Sequence, residues 1–182
     1  MRRVLLNLTV SLDGFIAEAD GGIDWILPPA EHVPGDYLAL MQTVDAFVMG
    51  RATYETSLRL AGGMDIFEGK AAYVFTSNDA VDPYSGVEFV REAPEPFVAR
   101  LKEQLGGTIW LFGGGRLATA LVAAGLVDDY LIAVQPMLLG DGIPLWRGGQ
   151  GPRTLEVVHA RAWPDGIVEL RYRAAGAQRG ES

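Results

Sequence analysis

The stretch "IWLFGGGRLATAL", residues 109–121, decides how this chain is organised, because three consecutive glycines join an apolar strand to a helix. The preceding residues are apolar and β-prone, and the apolar residues after Arg116 recur at helical spacing. Glycine destabilises ordered backbone relative to alanine, so Gly113, Gly114 and Gly115 need a physical reason. Two reasons remain open at this point: a tight strand-to-helix turn without a ligand, or a bare backbone that cradles a phosphate.

Outward from this stretch, strands alternate with helices along the chain. The predicted strands are residues 4–10, 46–50, 71–77, 87–90, 108–112 and 130–139, the last of which contains Pro136. The predicted helices are residues 36–44, 51–58, 94–105 and 116–124. A "WPDG" turn joins two further strands, 155–163 and 167–173, as in a β-hairpin. This succession predicts a three-layer α/β/α fold, with a mixed, mostly parallel central sheet and a C-terminal antiparallel hairpin.

Composition limits the classes of protein that this chain can be. Its 182 residues, 49% hydrophobic and 21% charged, predict one globular domain over residues 1–174 and a disordered tail over 175–182. A formal net charge of −8 argues against non-specific binding to nucleic acid or to an anionic membrane. Without cysteine, and with His32 and His159 as the only histidines, we expect no metal site.

The N-terminus does not have the pattern of a targeting segment. Its apolar run is interrupted by Asn7, Thr9 and Ser11, and no small-residue cleavage site follows. No apolar stretch reaches the roughly 18 residues that a membrane-spanning helix requires. We therefore expect a cytoplasmic protein without a membrane partner.

Polar or glycine residues follow three of the predicted strands. They are "MGRAT" at 49–53, "TSN" at 76–78 and "GGGR" at 113–116. Ligands of open α/β sheets bind beyond the carboxyl ends of the strands, where helix N-termini attract anions. Each segment also has a structural interpretation: Arg51 as a surface ion pair, Thr76 and Ser77 as turn residues, and the glycines as a turn. Taken together, they favour a ligand with several phosphates, such as a dinucleotide.

Four longer segments carry a resemblance to a known family. They are "SLDGFIA", "DAFVMGRATYE", "YVFTS" and "LFGGGRLATALVAAGLVDDYLIAVQPMLLGDGIPLW". Over residues 4–146 the chain resembles the dihydrofolate-reductase-like superfamily, most closely the reductase domain of the riboflavin-biosynthesis deaminase-reductase. The resemblance implies a dihydrofolate-reductase-like fold and NADPH-dependent reduction of a small heterocycle, similar to that of 5-amino-6-(5-phosphoribosylamino)uracil.

The resemblance also implies which residues would bind NADPH. By position, the adenosine phosphates would lie on Gly50, Arg51, Ala52 and Thr53, and the ribose 2′-phosphate on Thr76, Ser77 and Arg91. The pyrophosphate would lie on Gly113, Gly114, Gly115, Arg116 and Leu117, and the nicotinamide against Thr9 and Ile16. The family further implies a cis peptide bond between Gly113 and Gly114.

Three carboxylates are candidate catalytic acids: Asp13, Glu31 and Asp36. Asp36 and Glu31 lie near the position of the substrate carboxylate of dihydrofolate reductases, and Asp13 near the expected nicotinamide. Structural alternatives stay open, because Asp13 belongs to an Asp-Gly turn and Asp36 suits a helix N-cap.

Several positions depart from the family patterns. Ile132 stands where a polar partner for the carboxylate is expected, Lys70 replaces an arginine and Asn7 replaces a lysine. Alternatives are therefore a dihydrofolate or pteridine reductase, a non-catalytic nucleotide-binding module, or a flavin-binding protein. A homodimer is expected through strand 130–139 or the terminal hairpin.

Overall fold

The computed structural model describes residues 1–27, 35–60, 65–77, 84–149 and 151–176. The strands are β1 (Val4–Ser11), β2 (Phe15–Ala17), β3 (Val44–Gly50), β4 (Ala71–Phe75), β5 (Val87–Val90), β6 (Thr108–Gly113), β7 (Asp129–Gln135), β8 (Ile143–Pro144), β9 (Leu155–Ala162) and β10 (Val168–Ala174). The helices are α1 (Gly35–Thr43), α2 (Arg51–Arg59), α3 (Pro94–Glu103) and α4 (Gly115–Ala123), with a short 3₁₀ turn over Asp65–Phe67.

Eight strands form one central sheet in the order β5-β4-β3-β6-β1-β7-β10-β9. The pairs from β5 to β7 are parallel, whereas β10 runs antiparallel to both β7 and β9. The predicted mixed, mostly parallel sheet with a C-terminal hairpin is therefore confirmed. Strands β1, β3, β4, β6 and β7 all end at one side of the sheet, called the carboxyl edge below. The opposite side, where they begin, is the amino edge.

Helices cover both faces of the sheet, as predicted, because its inner strands are apolar on both sides. On one face, Leu101 of α3 and Leu121 of α4 pack in a cluster with Leu6 and Leu111 of the sheet. On the other face, Tyr54 of α2 packs in a second cluster; its further members include Phe47, Phe67, Trp110 and, at its margin, Met41 of α1. The faces are called the α3–α4 face and the α1–α2 face below.

Strand β1 has one apolar side and one polar side. Val4, Leu6 and Val10 pack on the α3–α4 face. Because side chains alternate along a strand, Asn7 and Thr9 project from the α1–α2 face. The same face of the sheet therefore changes from aromatic at β3 and β6 to polar at β1.

Several boundaries differ from the sequence-based prediction. Strand β7 ends at Gln135, not at residue 139, because Pro136 has no N–H to donate to a neighbouring strand. Strand β4 ends at Phe75, two residues early, and Val44 begins β3 instead of ending α1. The sequence analysis did not identify β2 and β8, which pair with each other outside the main sheet. Their pairing joins segments more than a hundred residues apart, so no local pattern marks it.

Candidate cofactor and substrate site

The carboxyl ends of β3 and β6 lie side by side and form a glycine-lined cradle. A Cβ atom added at Gly50 would lie 3.8 Å from the amide nitrogen of Gly114. Added at Gly113 or Gly114, it would lie 3.4 Å from Thr53 Oγ1. Two motifs that are 60 residues apart in sequence therefore meet at this edge, as expected for one shared ligand.

Two helices begin at this cradle without a side-chain cap. The N-cap residues of α2 and α4 are Gly50 and Gly114, and neither helix has a side-chain hydrogen bond at its N-cap. The first turns of a helix leave backbone N–H groups unpaired and carry partial positive charge. Two such ends at one place fit a ligand with more than one phosphate. The cradle therefore fits the phosphates of a dinucleotide.

The three consecutive glycines serve different purposes. The Gly113–Gly114 peptide bond is cis, as predicted, and Gly113 has a φ of +121°, which favours glycine. Gly115 instead lies against β8: a Cβ there would collide with Pro144 O and approach Leu145 O to 2.9 Å. Each of the two explanations left open by the sequence therefore applies to part of the motif. Gly113 and Gly114 line the cradle, whereas Gly115 permits a close backbone contact.

Most other predicted cofactor residues surround the cradle. Ile16 Cδ1 lies 3.9 Å from a Cβ placed on Gly114, so the β2 strand closes one side. Ala52 and Arg116 are exposed in the first turns of α2 and α4. The side chain of Leu117 is buried in the α3–α4 core, so only its backbone is available to a ligand.

The residues predicted to bind a 2′-phosphate, Thr76, Ser77 and Arg91, lie further out, beyond β4 and β5. The Thr76 N–H donates to Val90 O at 3.1 Å, which ties the end of β4 to β5 and places Thr76 near Arg91. Ser77 is exposed next to Thr76, and Asn78 lies outside the described residues. Arg51 Nε donates to Glu55 Oε1 at 2.6 Å. Arg51 is thus held against α2 and would have to share or change this partner to bind phosphate.

The polar side of β1 continues into the expected nicotinamide and substrate region. Thr9 pairs in register with Ala133 of β7, and Asn7 with Leu131. A loop crosses the end of these strands, since Leu27 N–H donates to Gln135 Oε1 at 3.4 Å. Gln135 is 2% exposed, and the sequence analysis did not select it. Its place on the polar side of a strand is the signal that could have identified it.

Two side chains of this region bury a hydrogen-bond donor that has no partner. Asn7 Nδ2 and Trp25 Nε1 are both shielded from solvent and make no hydrogen bond within the described part of the chain. Trp25 belongs to neither hydrophobic cluster, although it is buried. An unsatisfied buried donor costs about 1–3 kcal/mol, and a bound ligand with acceptor atoms would remove that cost.

Asp13 is fully engaged by neighbouring donors. Its carboxylate accepts hydrogen bonds from Ser11 Oγ at 2.6 Å, from Gly140 N–H at 2.7 Å and from Leu139 N–H at 3.2 Å. The Ser11 bond, helped by these backbone bonds, holds the pKa of Asp13 below its ordinary value. The carboxylate stays ionised at neutral pH, so its contacts suit an anchor for the loop after β7 better than a proton donor.

The other two candidate acids are only partly within the described structure. The Asp36 backbone lies in the first turn of α1, and Glu31 lies outside the described residues, as does His32. Their assignment as acids stays a prediction.

The structure corrects the expectation about Ile132. Its side chain packs on the α3–α4 face, opposite Asn7 and Thr9. Ala133 is the residue beside Thr9. The apolar character of Ile132 therefore says nothing about the substrate side.

The fold belongs to a known structural class. The chain superposes on dihydrofolate reductase from Enterococcus faecalis, solved with NADP(H), with a TM-score of 0.64 at 17% identity, covering 95% of this chain and 96% of that chain. A putative riboflavin biosynthesis protein from Shewanella sp. PV-4 is more similar, with a TM-score of 0.78 at 25% identity over 96% and 99% of the two chains. The dihydrofolate-reductase-like fold is therefore confirmed.

Sequence comparison identifies the family. The RibD C-terminal domain family matches residues 2–169, so the chain belongs to this family. The uncharacterized protein YwjB of Bacillus subtilis is 37% identical over 145 residues, which are 80% of this chain and 83% of that protein. A deaminase and 5-amino-6-(5-phosphoribosylamino)uracil reductase from Thermotoga maritima has a TM-score of 0.69 at 17% identity, covering 96% of this chain and 57% of that one. In the described part of the chain, no helix is long and apolar enough to cross a membrane.

Proposed function

We propose that this protein is an NADPH-dependent reductase of a small heterocyclic substrate, related to the pyrimidine reductase of riboflavin biosynthesis. The observation that carries the proposal is the cradle formed by Gly50, Thr53, Gly113 and Gly114 between two helix N-termini without side-chain caps. Its position at the carboxyl edge is where α/β sheets bind nucleotides.

Each part of the cofactor has residues suited to it. The N-terminus of α2, with Arg51 and Thr53, would hold phosphate, and the backbone of residues 113–117 would hold the pyrophosphate. Thr76, Ser77 and Arg91 would take the 2′-phosphate. Thr9 and Ile16 would lie against the nicotinamide, which supplies a hydride when the cofactor is bound.

The remaining tasks belong to the protein. The substrate ring must lie against the nicotinamide, water must be excluded and one proton must be supplied. The polar side of β1 and the buried Trp25 would orient the ring through unpartnered N–H donors. Asp36 or Glu31 would supply the proton. The contacts of Asp13 fit an anchoring role in the loop after β7.

A non-catalytic nucleotide-binding module of the same fold is the second candidate. It is favoured by Asn7, which stands where related reductases have a lysine, and by Lys70. Lys70 Nζ is directed at Met41 O, at 3.5 Å, and an ammonium lacks the bidentate fork of an arginine. Such a module would bind NADPH without reducing a heterocycle.

Titration with NADPH and NADH, followed by nicotinamide fluorescence and calorimetry, tests the proposal. We expect NADPH to bind at least about tenfold more tightly than NADH, because only NADPH carries a 2′-phosphate for charge-assisted hydrogen bonds. NADPH oxidation would then be measured with pyrimidine and pteridine substrates. A folded protein that binds no NADPH contradicts the proposal, and binding without any turnover favours the non-catalytic module.

A further inference from the structure

Arg171 of β10 lies on the same face of the sheet as the expected substrate side. Its neighbours Tyr172 and Ala174 pack against the α3–α4 cluster, so alternation directs Arg171 to the α1–α2 face. Arg171 pairs in register with Leu131, and Leu131 pairs with Asn7. With strands about 4.8 Å apart, the Cα atoms of Asn7 and Arg171 are separated by about 10 Å. Their side chains therefore flank the same short stretch of sheet surface.

Arg171 differs from Arg3 and Arg173 of this face, which share the carboxylate of Asp129, in forming no ion pair with any described residue. Arg3 Nε donates to Asp129 Oδ2 at 2.6 Å, and Arg173 Nε lies 3.6 Å from Asp129 Oδ1. Arg171 Nε is shielded from solvent and makes no hydrogen bond, and no carboxylate of the described residues forms an ion pair with it. A buried guanidinium N–H without an acceptor is costly, so an acceptor from outside the chain would be favoured.

The nearest acidic residue on this face does not fill that role. Glu169 is two register pairs closer to the carboxyl edge, beside Ala133 of β7 and opposite Arg161 of β9. Among the described residues Glu169 forms no ion pair with Arg171. The buried atoms of Asn7, Trp25 and Arg171 that lack a partner are all hydrogen-bond donors, and one of them belongs to a cationic group.

We propose that Arg171 binds an anionic group of the substrate, a carboxylate or a phosphate, and so makes the enzyme selective for acidic heterocycles. This inference rests on the proposed function, because it assigns the substrate to the β1–β7–β10 side of the cradle. Asn7 and Trp25 would donate to neutral acceptors of the ring, and Arg171 to the charged substituent. The guanidinium is suited to this because it binds planar oxyanions through two parallel hydrogen bonds.

The test compares matched ligands that differ by one anionic group. Calorimetry with saturating NADP⁺ would measure binding of uracil against orotate, pterin against pterin-6-carboxylate, and uridine against uridine 5′-monophosphate. The proteins would be the natural chain, Arg171→Gln, Arg171→Lys and the control Arg100→Gln. Arg100 lies on α3 in a surface ion pair with Glu92, so its variant has the same change in charge at a distant place.

We expect the anionic ligand of at least one pair to bind about tenfold or more tightly to the natural chain and to Arg100→Gln. Arg171→Gln should lose this preference, and Arg171→Lys should keep part of it, which a purely structural role would not produce. The first two pairs report a carboxylate site and the third a phosphate site. If Arg171→Gln does not fold, an Arg171→Lys variant with an undiminished preference overturns the inference.

Two outcomes overturn it directly: no anion preference in the natural chain, or a preference that persists in Arg171→Gln. NADPH titration of the same samples separates the two proposals. Absence of NADPH binding defeats the proposed function, whereas NADPH binding without an anion preference defeats only the assignment of Arg171.

Discussion

The two edges of the central sheet use polar groups in opposite ways. At the amino edge, charged side chains are paired within the chain: Lys102 with Asp128 at 2.6 Å, Arg3 with Asp129 at 2.6 Å, and Arg2 with Asp45. At the carboxyl edge, α2 and α4 begin without side-chain caps. Asn7, midway along β1, and Trp25 bury donors that have no partner among the described residues. Paired groups connect elements of the fold, whereas unpaired groups leave hydrogen-bonding capacity for a ligand.

Glycines at the two edges differ in the same way. A Cβ added at Gly107, near the amino edge, would collide with the backbone oxygen of Thr43. A Cβ added at Gly114 would meet only side-chain atoms, Thr53 Oγ1 at 3.4 Å and Ile16 Cδ1 at 3.9 Å. Gly107 is required by packing, whereas Gly114 leaves space that the chain itself does not use.

The largest expected effect is on stability and comes from the amino edge. Lys102 is 5% exposed and donates to Asp128 Oδ2 and, at 3.0 Å, to Leu126 O. Lys102→Met leaves Asp128 with an uncompensated, mostly buried charge, so the free energy of unfolding should fall by about 3 kcal/mol. Urea denaturation measures this, and NADPH affinity should stay within about twofold of the natural value.

The control for this prediction is Arg100→Gln, which removes a surface ion pair and should cost less than about 1 kcal/mol. Two outcomes would contradict the difference between the edges. One is a Lys102→Met protein as stable as the control, and the other is a folded Lys102→Met protein that no longer binds NADPH.

The next effect is on cofactor affinity and comes from the carboxyl edge. Gly114 has a φ of −89°, which alanine adopts without strain, so Gly114→Ala should change the melting temperature little. The added methyl group occupies the cradle and removes close approach of a phosphate to the backbone. We expect NADPH affinity to fall about tenfold or more, as measured by fluorescence titration.

Gly107→Ala is the matched substitution at the amino edge and should have the reverse effect. It should lower the melting temperature clearly, because the new methyl group meets backbone. Any folded fraction should bind NADPH normally. Unchanged NADPH affinity in Gly114→Ala would show that the cradle is not the phosphate site.

The smallest effect concerns Asp13, which lies at the carboxyl edge but is paired. Its pKa is lowered from 3.8 in the folded protein, mainly by the Ser11 hydroxyl, so its ionised form favours folding. That contribution is present above pH 3.8 and is lost as the pH falls through the lower pKa of the folded state. The difference in melting temperature between the natural chain and Asp13→Asn should therefore shrink in acid.

Steady-state kinetics of Asp13→Asn distinguishes an anchoring role of Asp13 from a role as proton donor. If Asp13 anchors the loop after β7, Asp13→Asn should change kcat less than about tenfold and leave the pH profile in place. A loss of about a hundredfold or more at neutral pH would return Asp13 to the role of proton donor. Ser11→Ala, which removes its strongest partner, should reproduce the stability effect only.

Much of the cradle could be predicted because its parts are local motifs. Gly50 and Thr53 follow one predicted strand and the three glycines follow another, so sequence order and the geometry of parallel sheets place them together. The face on which Ile132 lies, and the end of β7 before Pro136, were predicted wrongly. The face of Ile132 depends on register with neighbouring strands, since a shift of one residue moves a side chain to the opposite face. The end of β7 follows from the missing N–H of Pro136.

The sequence by itself determined the class of fold, the glycine and hydroxyl residues at three strand ends, and the resemblance to a reductase family. These follow from periodicity, turn chemistry and short motifs, which are properties of neighbouring residues. Only the tertiary structure decided that Gly115 serves packing, that Asp13 is held by the loop after β7, and that Arg171 lies without a partner on the face of Asn7. Each of these depends on contacts between residues 29 to 127 positions apart, and no local pattern encodes such contacts.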